Sequence, residues 1–109
     1  MKPFKEAEGY AGDLQAAYDY YKAYSPQTAE RFVAAYKESV DLLRRWPRIC
    51  RPRRHEWRQM VIQDYPNYSI FYKELSFCWL LGGIIPSMSD PDTIQARLLV
   101  RELAEGETG

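Results

Sequence analysis

The first half of the chain carries two runs of apolar side chains at helical spacing. Between residues 8 and 24 they recur at steps of three and four, and the same period continues from Ser25-Pro26 to Pro47. Ser25 suits a helix N-cap and Pro26 a first helical position, whereas Pro47 ends the pattern. We therefore predict helices over residues 8–24 and 26–46, joined so closely that they form an antiparallel hairpin.

In the second half the apolar period changes from 3.6 to 2. Residues 60–62, 68–73 and 77–85 are predicted strands separated by short reversals, and the last is apolar on both faces. A final helix begins at Pro91, and residues 2–5 could add a short N-terminal strand. The predicted fold class is α+β: a helical hairpin packed on one face of a small antiparallel sheet, a three-strand meander with or without that fourth strand, and a C-terminal helix.

The chain's length and composition indicate one ordinary globular domain. Its 109 residues suffice for a single core, and we expect one domain over 1–109 with a flexible tail at about 105–109. Cys50 and Cys78 lie in unlike surroundings without metal-ligand spacing, so we expect two free thiols and no metal or cofactor. The longest apolar run has nine residues, 77–85, too few to span a bilayer, and we expect a cytoplasmic protein with no membrane partner.

One stretch, RRWPRICRPRRHEWRQ over residues 44–59, holds seven arginines in a chain of zero formal net charge. Arginine suits bidentate binding of phosphate or carboxylate, and the predicted anion-binding residues are Arg51, Arg53, Arg54 and Arg58. Two plainer interpretations compete, since arginines near the end of the second helix favour its dipole and a polar loop can simply be solvated. The neutral overall charge argues against a dedicated nucleic-acid binder.

His55 is the chain's one histidine, so no catalytic triad can be assembled from this chain alone. As a lone histidine in a polar loop it can simply be a surface residue. In an enzymatic interpretation it is the candidate proton donor.

With its elements in this order, the chain resembles the RelE/ParE superfamily of toxins from bacterial toxin-antitoxin and plasmid-stabilisation systems. The likeness runs from about residue 13 to residue 103 and rests on the stretches DLQAAYDYYKAYSP, AERFVAAYKESVDLLRRWPRI, RPRRHEWRQMVI, DYPNYSIFYKE and SDPD. It implies a compact toxin whose partner is a cognate antitoxin, with an extended or helical segment that wraps over the hairpin and sheet. The resemblance does not identify the residues that bind the antitoxin.

The resemblance leaves two activities open. RelE-like members cleave messenger RNA on the ribosome with basic residues on the sheet and a C-terminal tyrosine or histidine, whereas ParE-like members poison DNA gyrase without a hydrolytic site. Arg58 matches a basic sheet position, but FCWLLGGII has no arginine and PSMSDPD has no tyrosine or histidine. We therefore favour a non-enzymatic, ParE-like, gyrase-directed toxin. The alternatives are a ribosome-dependent endoribonuclease using Arg54, His55 and Arg58, or a degenerate toxin that keeps only antitoxin binding.

Overall fold

A computed structural model describes residues 2–106 as three α-helices and one four-stranded sheet. In chain order the elements are β1 (Phe4–Glu6), α1 (Tyr10–Lys22), α2 (Pro26–Arg45), β2 (Arg58–Val61), β3 (Tyr68–Glu74), β4 (Trp79–Pro86) and α3 (Pro91–Gly106). The strands lie in the order β1-β4-β3-β2. The predicted α+β class, helical hairpin, meander and C-terminal helix are confirmed.

The helical hairpin follows the sequence pattern closely. Ser25 caps α2, because its Oγ accepts a hydrogen bond from the backbone N–H of Thr28 at 3.0 Å. Helix α1 begins at Tyr10, two residues later than predicted, because the preceding Gly9 has a φ of 95°. Before that break, the N–H of Ala7 still bonds to the sheet at Leu81 O, 2.9 Å away.

The sheet differs from the prediction in the pairing of β1 and in the starts of two strands, since β2 begins at Arg58 rather than residue 60. Strand β1 exists but pairs parallel with β4, from Phe4↔Trp79 to Glu6↔Leu81, so the sheet is mixed rather than wholly antiparallel. Because β2, β3 and β4 are successively antiparallel, β2 and β4 run in one direction, and β1 shares that direction. Strand β4 begins at Trp79 rather than residue 77, since Cys78 closes the preceding turn by accepting the Leu75 N–H at 2.8 Å.

The two faces of the sheet bury separate cores. Helices α1 and α2 cover one face, which we call the hairpin side, and α3 covers the other, which we call the α3 side. The hairpin-side core includes Phe32, Tyr36, Leu43, Met60, Ile62, Ile70, Tyr72, Trp79, Leu81 and Ile84. The α3-side core consists of Ala7, Trp57, Phe71, Leu80, Ile85, Ile94 and Leu98.

Two buried hydroxyl groups satisfy each other in the hairpin-side core. Tyr10 Oη and Tyr36 Oη are 2.7 Å apart, so each ring buries its apolar surface while its hydroxyl keeps a partner. Burial raises the pKa of both hydroxyls, which therefore stay protonated at neutral pH.

The C-terminal helix extends into the predicted tail. Helix α3 includes Glu105 and Gly106 of the predicted flexible tail, and residues 107–109 lie outside the described residues. Cys50 and Cys78 are both free thiols, as predicted. Within residues 2–106, no helix has the length and apolar character needed to cross a membrane.

Candidate functional site

The arginine-rich stretch divides between the two faces of the sheet. Residues Arg54–Glu56 form one turn of 3-10 helix, in which His55 and Glu56 adopt positive φ values of 55° and 69°. The chain then enters β2, where alternate side chains point to opposite faces. Trp57 is buried in the α3-side core, whereas Arg58 lies against Trp79 of the hairpin-side core.

On the hairpin side, two arginines stack on one tryptophan. The guanidinium carbons of Arg48 and Arg58 each lie 5.4 Å from the centroid of the Trp79 ring. Arg58 Nη1 also donates a hydrogen bond to Cys50 O at 2.5 Å. A cation–π contact of this kind contributes about 0.5–2 kcal/mol, depending on solvation. Arg58 thus holds the end of the connecting loop against the sheet.

Glu74 receives two cations in the same region. Its Oε2 lies 2.7 Å from both Lys2 Nζ and Arg48 Nη2. The hydrogen bond from Lys2, together with the nearby charge of Arg48, lowers the pKa of this carboxyl. One carboxylate therefore faces two cations, and the group of three keeps a net positive charge.

The turn after α2 is tied to the sheet by a buried tyrosine. Tyr72 Oη donates a hydrogen bond to Pro47 O at 2.8 Å. Burial raises the pKa of Tyr72, so the hydroxyl remains a donor at neutral pH. This bond fixes the direction in which the chain leaves α2.

The remaining predicted site residues are exposed. Arg54 Nη2 pairs with Asp92 Oδ1 at 2.8 Å, and His55 borders a cavity of about 360 Å³ beneath α3. In the part of the chain that the structure describes, the side chains of Arg51 and Arg53 make no hydrogen bond or ion pair. Their charges are therefore available to an anionic partner.

The predicted anion-binding residues do not form one cluster. On the α3 side, Arg54 pairs with Asp92 and His55 lines the cavity beneath α3. Arg58 instead stacks on Trp79 on the hairpin side. The set Arg54, His55 and Arg58, which an endoribonuclease would need around one phosphate, is split by the sheet. Among residues 2–106 there is also no group of three or more potential metal-ligating side chains.

An apolar cleft beside this stretch was missed from the sequence. It has a volume of about 640 Å³ and is lined by Leu42, Trp46, Pro47, Arg48 and Ile49. The sequence does contain a pattern that indicates it. Residues 42, 46 and 49 are apolar and recur at steps of four and three, and this row lies beside the row of buried residues that contains Leu43. Apolar side chains at helical spacing outside the core stripe indicate a second apolar surface.

An ion pair at the sheet was also missed. Arg101 of α3 binds Asp13 of α1 through Nη1 at 2.5 Å and Nη2 at 3.0 Å. The same carboxylate accepts the Ile84 N–H of β4 at 3.1 Å, and Arg101 Nη1 donates to Gly82 O at 2.8 Å. These residues lie far apart in sequence, and only the fold brings them together.

The chain is similar to known proteins both in sequence and in fold. The model of a family described as the ParE toxin of the type II toxin-antitoxin system parDE matches residues 8–76. A solved structure described as a chromosomal ParDE toxin-antitoxin system from P. aeruginosa is 22% identical, with a TM-score of 0.69 over 79% of this chain and 96% of that one. At that identity the likeness concerns the fold. No curated protein matches this chain in sequence.

Proposed function

Because the chain belongs to the ParE toxin family of type II toxin-antitoxin systems, we propose that it inhibits DNA gyrase by binding and is neutralised by a cognate antitoxin. Gyrase acts in the cytoplasm, and we propose that this protein acts there too. The neighbouring solved structure carries the name of a ParDE system, which supports a search for an antitoxin.

The observation that carries the binding mechanism is the division of the basic residues. An endoribonuclease needs phosphate-binding and proton-transferring groups on one side of the scissile bond. Here Arg58 is stacked on Trp79 across the sheet from His55. Arg51 and Arg53 are exposed instead, and such residues suit the electrostatic steering of an anionic or acidic target.

In this proposal the target contacts are Arg51, Arg53 and Arg54. Arg58 contributes by holding the loop through its bond to Cys50 O and its stacking on Trp79. This assignment gives the exposed arginines a binding role and the half-buried one a positioning role.

The test is induced expression in a bacterial host, followed by a supercoiling assay with purified gyrase. We expect growth arrest and loss of supercoiling. Replacing both Arg51 and Arg53 with alanine should raise the inhibitory concentration about tenfold, or ~1.4 kcal/mol, as the loss of two rim charges predicts. The matched control replaces Arg31 and Arg97, two exposed arginines elsewhere, and should leave inhibition unchanged.

Two results would point to other functions. New transcript ends after induction, mapped by primer extension, with unaffected gyrase would indicate the endoribonuclease. Binding of an antitoxin without growth arrest would indicate a degenerate toxin.

A further inference from the structure

An exposed apolar surface opens where α2 ends. Leu42, Trp46 and Ile49 are 37%, 63% and 54% exposed, although each is a large apolar side chain. With Pro47 and Arg48 they line the cleft of about 640 Å³. An exposed apolar patch that is rimmed by polar residues is typical of an interaction site.

The cleft is held in shape by the rest of the protein. Trp46 N–H bonds to Leu42 O at 2.9 Å, and Ile49 N–H bonds to Trp46 O at 3.0 Å. Tyr72 holds Pro47 O from beneath. Since these backbone groups are already fixed, a partner that enters the cleft need not order them, which lowers the entropic cost of binding.

The rim of the cleft is basic. Between residues 42 and 49 the sequence has three arginines, Arg44, Arg45 and Arg48, and no acidic residue. Arg48 is partly offset by Glu74, and Arg44 and Arg45 add positive charge beside the apolar floor. The complementary ligand has bulky apolar side chains flanked by carboxylates.

We infer that this cleft docks an acidic, amphipathic segment of a partner polypeptide; resting on the proposed function, that partner is the antitoxin. A polypeptide suits the site better than a nucleic acid, because bases stack on flat aromatic platforms tracked by cations. Here three of the five lining residues, Leu42, Pro47 and Ile49, are aliphatic, and Trp46 is the one aromatic ring among them. Apolar side chains from one face of a helix or strand fill such a groove.

The first test is rescue of growth by the product of the neighbouring reading frame. Ile49→Glu places a carboxylate in the cleft, where it repels an acidic segment. We expect this variant to arrest growth like the wild type but no longer be rescued. The matched control is Val100→Glu on the opposite side of the sheet, at an exposed apolar residue of α3, and its rescue should persist. Circular dichroism melts of both variants should match the wild type.

The rescue results separate the two proposals. A wild type that neither arrests growth nor binds the neighbouring product refutes the proposed function and leaves the cleft to the second test. Normal rescue of Ile49→Glu, or equal loss of rescue for Val100→Glu, refutes the cleft alone. Loss of toxicity in folded Ile49→Glu also refutes it, because the cleft would then contact the target.

The second test uses purified full-length protein and synthetic peptides. Trp57 and Trp79 are buried, so Trp46 is the tryptophan whose fluorescence a ligand in the cleft would shift to shorter wavelength. The probe is an amphipathic helical peptide of leucine and glutamate, compared with the same peptide carrying lysine for glutamate. We expect the acidic peptide to bind at least about tenfold more tightly, and salt to weaken it.

Ile49→Glu should abolish that spectral shift, while Val100→Glu should preserve it. Equal affinity for the two peptides, or no shift with either, overturns the inference. So does a shift produced by an oligothymidine strand with greater affinity than the acidic peptide, since the cleft would then be a nucleic-acid site.

Discussion

The ion pair between Asp13 and Arg101 gives the sharpest stability prediction. It joins the first and last helices, and its side chains are only 12% and 15% exposed. Replacing Arg101 with methionine keeps much of the apolar stem and removes three hydrogen bonds, two to Asp13 and one to Gly82 O. Among residues 2–106, the Asp13 carboxylate would keep the Ile84 N–H as its hydrogen-bond partner.

The expected cost follows from that uncompensated carboxylate. Removing one member of a buried pair costs about 3–5 kcal/mol, and the remaining exposure of this pair places it lower, at about 2–3 kcal/mol. Asp13→Asn retains an oxygen for the Ile84 N–H but loses the charge, so we expect about 1–2 kcal/mol. When Arg101→Met and Asp13→Asn are combined, both charges are gone and neither is left buried without a counter-ion. The double variant should therefore lose less stability than the sum of the two single variants.

Urea denaturation followed by circular dichroism measures all three variants. The exposed pair is a control, since Arg54 and Asp92 are 51% and 80% exposed and Arg54→Met should cost less than about 1 kcal/mol. The reasoning would be refuted if Arg101→Met cost no more than Arg54→Met, or if the losses at Asp13 and Arg101 added within about 0.5 kcal/mol.

Three further predictions concern glycine, tyrosine and arginine. Gly83→Ala should destabilise the protein, because its Cβ would lie 2.7 Å from Arg101 Nη1. Gly12→Ala adds a methyl group in open space on a helix, so it should stabilise the protein by up to ~1 kcal/mol. Thermal melts of the two variants and the wild type test both expectations. Burial raises the pKa of Tyr10 above its unfolded value near 10, so its contribution to the free energy of unfolding is complete below pH 10 and decreases as the pH rises further. Urea denaturation at several pH values, with tyrosinate absorbance, measures this decrease. Arg58→Lys should lower the melting temperature, because a lysine ammonium cannot both stack on Trp79 and donate to Cys50 O as the planar guanidinium does. An unchanged melting temperature would contradict the positioning role of Arg58.

Much of the fold could be predicted because its local signals agree. Ser25 and Pro26 mark both the end of one helix and the start of the next, and the structure uses the serine as the cap. In β3 the alternation places Ile70 and Phe71 on opposite faces, and in the structure Ile70 lies in the hairpin-side core and Phe71 in the α3-side core. Such signals lie within a few residues of one another, so they need no knowledge of the rest of the chain.

The pairing of distant elements could not be predicted in the same way. Strand β1 has three residues, and its sequence does not encode whether β4 runs parallel or antiparallel beside it. The register of β3 and β4 shifts so that Phe71 faces Gly83 while Tyr72 faces Leu81. Gly82 is the extra residue of this bulge, and its carbonyl turns toward Arg101. A local pattern of apolar residues carries no information on that contact.

The candidate site shows why a cluster in sequence need not be a cluster in space. His55 and Glu56 take left-handed backbone conformations, which are uncommon outside glycine, and this turn precedes a strand whose side chains alternate. Arg54 therefore meets α3 while Arg58 meets Trp79, four residues later and across the sheet. The alternation itself was predictable once β2 was recognised, and it already separates Trp57 from Arg58. Strand parity alone would place Arg54 and Arg58, four residues apart, on one face, so it is the left-handed turn before the strand that separates them.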